Sequence, residues 1–111
     1  EYYIASGNSD GSVNIRNTMS KSKYSSLSGS EQHSETVFCL INIDKDRIAS
    51  GSYDKTVKIW NYKEKKEGNH CISSLKGHKS WVVSLLKINY IQIASGSADC
   101  TIKIWNIENS Q

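Results

Sequence analysis

A fourteen-residue phrase occurs three times in this chain, as IASGNSDGSVNIRN at 4–17, IASGSYDKTVKIWN at 48–61 and IASGSADCTIKIWN at 93–106. The copies start 44 and 45 residues apart, and the second and third agree at Ile, Ala, Ser, Gly, Ser, Asp, Thr, Lys, Ile, Trp and Asn. Self-similarity at a period of roughly 40 to 45 residues marks four-stranded units stacked radially as the blades of a β-propeller. Such units bury their faces against one another, so stability accumulates through neighbour contacts and an incomplete set leaves apolar faces bare. The 111 residues hold about two and a half units against the roughly four to eight of a closed ring. The expectation is therefore an all-β, incomplete propeller of four-stranded antiparallel blades. Its remaining blades would come from a longer polypeptide of about seven blades, or by association through the bare faces.

Along the chain, residues 2–6 and 12–16 read as two short strands around a turn at Ser9, Asp10 and Gly11, a hairpin. Residues 18–30 are rich in Ser and Lys, a loop composition in which 24–27 form a short polar edge strand. Residues 36–43 (TVFCLINI) make a nearly continuous apolar run of strand length, as expected of a strand packed on both faces near the ring centre. A second hairpin follows, with strands at 47–52 and 56–62 and a turn at 53–55. The loop 63–68 (KEKKEG) alternates lysines with Glu64 and Glu67, which reads as a solvated loop rather than a phosphate-binding patch. Residues 70–75 supply the next outer strand, 81–88 (WVVSLLKI) a second buried one, and 92–97 with 101–107 the third hairpin. With strands lettered a to d from the ring centre outward, the order is b, c, d, then a, b, c, d, then a, b, c. This divides the chain into a partial blade at 1–30, a complete one at 31–76 and a partial one at 77–111.

Charge excludes one class of partner. Fourteen Lys and Arg against eleven Asp and Glu give a net charge of +3 and a pI near 8.8, short of the footprint of a direct nucleic-acid binder. Cys39, Cys71 and Cys100 form no C-x-x-C pair, and their odd number speaks against a secreted disulfide framework. An intracellular protein, cytoplasmic or nuclear, is the expectation. No stretch has the length of a membrane span. His33, His70 and His78 fall in separate units without zinc-ligand spacing, so neither a metal nor another cofactor is expected.

The motifs that carry a resemblance are His78 in Gly77-His78, Asp99 after Ser95-Gly96-Ser97, and Trp105-Asn106. The middle unit repeats them as His33, Ser50-Gly51-Ser52, Asp54 and Trp60-Asn61, with His to Asp 21 and Asp to Trp 6 residues apart in both. Over nearly its whole length the chain resembles the WD-repeat (WD40) β-propellers. It departs from their pattern in having Asn for the Asp of the Trp-Asp pair, and Gln32 where a Gly is usual. The resemblance implies one buried tetrad per complete blade: His33, Ser50, Asp54 and Trp60, then His78, Ser95, Asp99 and Trp105. The Trp N–H donates to Ser, Ser to one His nitrogen, and the other His nitrogen to Asp, satisfying every buried polar group. Ser52 and Ser97 share the strand face with Ser50 and Ser95 and compete for the serine role. In the first unit Arg16 replaces Trp and the His-bearing stretch is absent, so Asp10 must stay unlocked or find another partner.

Ser, His and Asp are also the parts of a nucleophilic triad. A catalytic constellation is built once at a cleft, whereas this one recurs in register and includes a Trp that a triad does not need, so no catalytic residues are assigned. Cys39, matching Ser84 in the repeat, reads as a small core residue. Function then rests on surfaces. In WD-repeat proteins the face carrying the d-to-a and b-to-c loops binds partner peptides, and the resemblance places there the third and fifth residues after the His and the one before the Asp. These are Thr36, Phe38 and Tyr53 in the middle blade, Trp81, Val83 and Ala98 in the last, and Ser9 in the first. Large aromatics dominate binding hot spots, so Phe38, Tyr53 and Trp81 stand out, with Tyr53 and Trp81 expected to flank a peptide-sized groove. The resulting expectation is a non-catalytic scaffold for protein–protein interaction in a multi-protein complex. Alternatives are a peptide- or substrate-recognition propeller, as in ubiquitin-ligase adaptors, and a regulatory propeller attached to an enzyme domain.

Overall fold

In each copy of the repeated phrase the β-rich ends flank a tight turn built on an Asp, so the local sequence makes a hairpin before any tertiary contact forms. The computed structural model describes residues 3–17, 23–27, 32–61 and 71–107. Three antiparallel sheets result, and no helix occurs among these residues. The first sheet is β1 (Tyr3–Gly7), β2 (Val13–Asn17) and β3 (Lys23–Leu27), in that order. The second is four-stranded, with β4 (Val37–Asn42), β5 (Arg47–Ser52), β6 (Thr56–Asn61) and β7 (Cys71–Lys76) side by side in chain order. The third holds β8 (Val82–Asn89), β9 (Gln92–Ser97) and β10 (Ile102–Asn106). The loop expected at 63–68 lies outside the described residues, as do His70, Tyr2 and most of the Ser-rich stretch around β3.

Strand alternation feeds two cores from the middle sheet. One side of it sends Val37, Ile48 and Trp60 against Val13 and Ile15 of the first sheet. The other side sends Ala49, Val57 and Ile59 against Val82 and Ile93 of the third, closed below by Ile43 and Ile107. Each such fully buried aliphatic side chain contributes about 1.5–3 kcal/mol. The glycine of the repeated phrase marks where one sheet presses on the next. A Cβ on Gly7 would stand 2.5 Å from Val37 Cγ1, and one on Gly51 would stand 2.6 Å from Val82 Cγ1 and 2.7 Å from Cys39 Sγ.

Two expectations change here. Residues 36–43 and 81–88 were to be buried on both faces, but a bulge interrupts each run. Register slips between Val37 and Cys39 and again between Val82 and Ser84, so Phe38 and Val83 are the extra residues. Phe38 is thereby turned out to solvent, 51% exposed. The strand β8 also packs on one face only. Its far side, Leu86 and Ile88, joins Ile102 and Ile104 of β10 in an exposed aliphatic surface, with Leu86 64% and Ile102 77% accessible.

Candidate functional site

The hairpin turns carry the site. Asp54 follows Tyr53 in the turn between β5 and β6, and its carboxylate accepts from the Thr56 amide at 2.9 Å and from the Thr56 hydroxyl. The opposite oxygen receives His33 Nδ1 at 2.8 Å and the Ser34 amide at 3.1 Å. His33 Nε2 lies 2.7 Å from Ser50 Oγ, and Trp60 Nε1 donates to that same oxygen at 2.8 Å. Because the Ser50 oxygen already accepts from the indole, its proton goes to Nε2, which leaves Nδ1–H to donate to Asp54. The third sheet holds the same chain at His78 to Asp99 3.0 Å, His78 to Ser95 2.7 Å and Trp105 to Ser95 2.7 Å. In both, the His and Trp rings meet edge to face, with centroids 6.4 and 6.1 Å apart.

The competing serines do something else. Ser52 donates to the Glu35 carbonyl at 3.0 Å and accepts from the Asp54 amide at 3.0 Å; Ser97 does the same with Ser80 and Asp99 at 3.2 and 3.1 Å. They tie the turn to the preceding loop. In the first sheet Asp10 has found the other partner its unit required. It accepts from the Ser12 amide at 3.0 Å and hydroxyl at 2.6 Å, while Arg16 stands exposed.

Electrostatics follow from these contacts. Burial would raise the pKa of Asp54, but hydrogen bonds from His33 and Thr56, and the charge attraction of His33, outweigh it and hold the carboxyl well below the usual range. At Asp99 the Thr101 hydroxyl leads, burial opposes it, and the Lys79 amide and His78 add to the lowering. Burial pushes the Cys39 thiol up to about 11, so it stays protonated and unreactive. Thr56 and Thr101 were not assigned a role from sequence. The signal that finds them is a hydroxyl residue two positions after the turn Asp, present as Ser12, Thr56 and Thr101.

The surface residues gather along the loop edge. Thr36 Oγ1 donates to the Ser9 carbonyl at 3.2 Å, the Tyr53 amide to the Thr36 carbonyl at 3.1 Å, and the Ala98 amide to the Trp81 carbonyl at 2.9 Å. Val83 sits half-buried at its bulge on β8. Tyr53 and Trp81 do not flank a groove. Their rings stack at 4.7 Å and 19°, and the other face of Tyr53 stacks on Phe38 at 5.2 Å and 26°, so three rings form one continuous ladder across two sheets. The aromatic surfaces attract each other more strongly than either holds water, and that closes the gap. Trp81, at one end of the ladder, is 48% exposed.

Antiparallel sheets that repeat in register, each complete turn tied to its strands by a Trp, Ser, His and Asp chain, define the blades of a WD40 β-propeller. The chain belongs to the WD40 family, described as "WD domain, G-beta repeat", which matches residues 23–61 and 69–106. Those matches run from β3 to β6 and from β7 to β10, so each sequence repeat starts one strand ahead of a sheet. Among curated proteins the chain is similar to the peroxisomal targeting signal 2 receptor of Dictyostelium discoideum, 33% identical over 63 residues, covering 55% of this chain and 20% of that one. Among solved structures it is similar to a chain of the mitotic checkpoint complex, with TM-score 0.83 and 28% identity over 98% of this chain and 32% of that one. The computationally designed Ika4 protein gives TM-score 0.79 and 27% identity over 96% of this chain and 61% of its own. The WD40 propeller domain of Doa1, TM-score 0.79 at 20% identity over 98% of this chain and 34% of that one, shares the fold. The chain thus spans a fifth of the curated relative and about a third of the checkpoint chain.

Proposed function

We propose that this chain is a non-catalytic scaffold for protein–protein interaction, intracellular and without a cofactor, which meets its partner at the edge formed by Phe38, Tyr53 and Trp81. The observation that carries this reading is the three-ring ladder, whose end rings are half exposed although blade packing does not require them. The equivalent positions Thr36, Val83 and Ala98 are small or aliphatic. Rigid aromatic surface held in solvent costs little further ordering on binding, which is what makes such residues hot spots. The Ser, His and Asp groups are read as structural locks, since their hydrogen bonds recur in two blades and are closed by Trp.

Within this reading, similarity to a targeting-signal receptor favours recognition of a short linear peptide over assembly with a folded surface. The test is titration of the full chain with its partner, alongside melting temperature. Trp81→Ala and Phe38→Ala are each expected to weaken binding by about 1–3 kcal/mol with little change in stability. Tyr53→Ala should lose both, because its ring supports the other two. Early melting of the Trp81 and Phe38 variants with normal binding would make these rings core and move the interface elsewhere.

A further inference from the structure

Lys58 lies on β6 and is only 8% exposed. Lysine is seldom buried to this extent without a carboxylate, yet among the described residues none lies within ion-pair distance of it. Its ammonium donates to Ser74 Oγ at 3.1 Å, which leaves two donors. The register explains the surroundings. Lys58 is opposite Ser74, and Thr56 is opposite Lys76, so the four side chains form two rows on one face of β6 and β7. That face lines a concavity of about 550 Å3, bounded by Ser34 on the incoming loop, Lys55 in the turn, and Gly77 and His78 at the far end of β7. Lys55, Lys58 and Lys76 bring three positive charges to it. Among the described residues the one carboxylate there, Asp54, is taken up by His33, Ser34 and Thr56.

We propose that this concavity binds a phosphoryl group. Among the described residues the Lys58 ammonium is paired only with a neutral hydroxyl, and an anion entering beside it and the two other lysines gains charge-assisted hydrogen bonds. A flat carboxylate offers two oxygens, whereas a tetrahedral dianion can accept from Lys58, Lys76 and the Ser74 hydroxyl from different directions. The hydroxyl of Ser74, whose oxygen accepts from Lys58, keeps its proton for this. The volume exceeds that of phosphate alone and leaves room for a group bearing it. The site occurs once among the described blades. The third sheet repeats the lysine as Lys103 but has no fourth strand among the described residues, and the first sheet has Asn14 opposite Ser26 where the middle one has Lys58 opposite Ser74. The assignment is independent of the aromatic edge and survives if that edge proves to be core.

The test is calorimetric titration of the full chain with inorganic phosphate, O-phosphoserine and acetate at constant ionic strength. Saturable binding of phosphate or phosphoserine, and none of acetate, is expected; tighter binding of phosphoserine assigns the source to a phosphorylated side chain, and tighter binding of phosphate to the free anion. Lys58→Met and Lys76→Ala should each weaken binding by about tenfold or more, as loss of a charge-assisted hydrogen bond does. Lys58→Met should melt no earlier than the parent, since it removes the buried charge; Lys76 is exposed and its replacement leaves the fold intact. Absence of saturation, an equal response to acetate, or unchanged affinity in both variants would overturn the proposal.

Discussion

At Asp54, burial and hydrogen bonding pull the proton equilibrium in opposite directions, and hydrogen bonding wins. A carboxylate whose folded-state pKa is depressed stabilises the fold above its unfolded value, and that contribution is lost as pH falls through the carboxylate range toward the folded value. Stability should therefore be flat above about pH 5 and fall steadily below it, a slope that urea denaturation between neutral and strongly acid pH measures. Asp54→Asn should make it shallower, leaving the part that Asp99 contributes. Asp54→Ala leaves the buried His33 Nδ1 with only the Thr56 hydroxyl, 3.1 Å away, and should cost about 1–3 kcal/mol without selective loss of any hydrolytic activity. Asp99→Ala should act in the same direction. A hydrolytic activity abolished in either variant at unchanged melting temperature would return the triad to consideration. The residue after each turn Asp has positive φ, 91° at Gly11, 76° at Lys55 and 71° at Cys100. At Gly11 a Cβ would also stand 1.9 Å from the His33 carbonyl oxygen, so only glycine fits. Lys55→Gly and Cys100→Gly relieve a left-handed backbone that costs a side chain about 1 kcal/mol, and thermal melts should show gains of that order.

At the scale of the element, the middle sheet differs from its neighbours because both of its faces are covered. Gly51 lies between Cys39 and Val82, with no room for a methyl group. Gly51→Ala should force the third sheet away and cost about 1–3 kcal/mol. Gly96 is the same residue in the same phrase, but the side chain its Cβ would meet is Ser84, at 2.6 Å, with no valine from a further sheet. Gly96→Ala should therefore cost less, and a chemical denaturation comparison of the two variants isolates the contribution of a neighbouring sheet. Equal costs would mean that the glycine is selected by its own hairpin. The same packing turns Phe38 outward, because the bulge that lets Val37 press on Gly7 leaves one residue of β4 without a place in the register.

For the whole molecule, the exposed surface of Leu86, Ile88, Ile102 and Ile104 is what a third blade shows when nothing packs on it. The corresponding positions of the middle sheet, Ile41, Ile43, Val57 and Ile59, sit in or against a buried core. Apolar surface of this kind favours association. The 111 residues taken alone should therefore self-associate in light scattering, and Ile102→Lys with Leu86→Glu should reduce the particle toward a monomer. An unmodified chain that stays monomeric and well folded would defeat this expectation. Bridging contacts on the inter-sheet side, such as Arg47 Nη2 to the Tyr90 carbonyl at 3.1 Å, add a polar tie between the second and third sheets.

The sequence by itself determined whatever depends on neighbours along the chain. Period, hairpins, strand order and the spacing of His, Ser, Asp and Trp all follow from local patterning, because alternation and turn chemistry act over a few residues. Tertiary structure decided the rest. Ser50 and Ser52 share a strand face, and which of them meets His33 depends on where along that face the loop before β4 sets the imidazole. Tyr53 and Trp81 are 28 residues apart and lie on different sheets, so no local rule could say that their rings stack instead of flanking a groove. Lys58 reads in sequence as one polar position of an alternating strand, and its low exposure of 8% is set by segments that pack around it in space. Ring stacking, burial and the facing of charges are set by distances between segments remote in sequence, which a one-dimensional pattern does not contain.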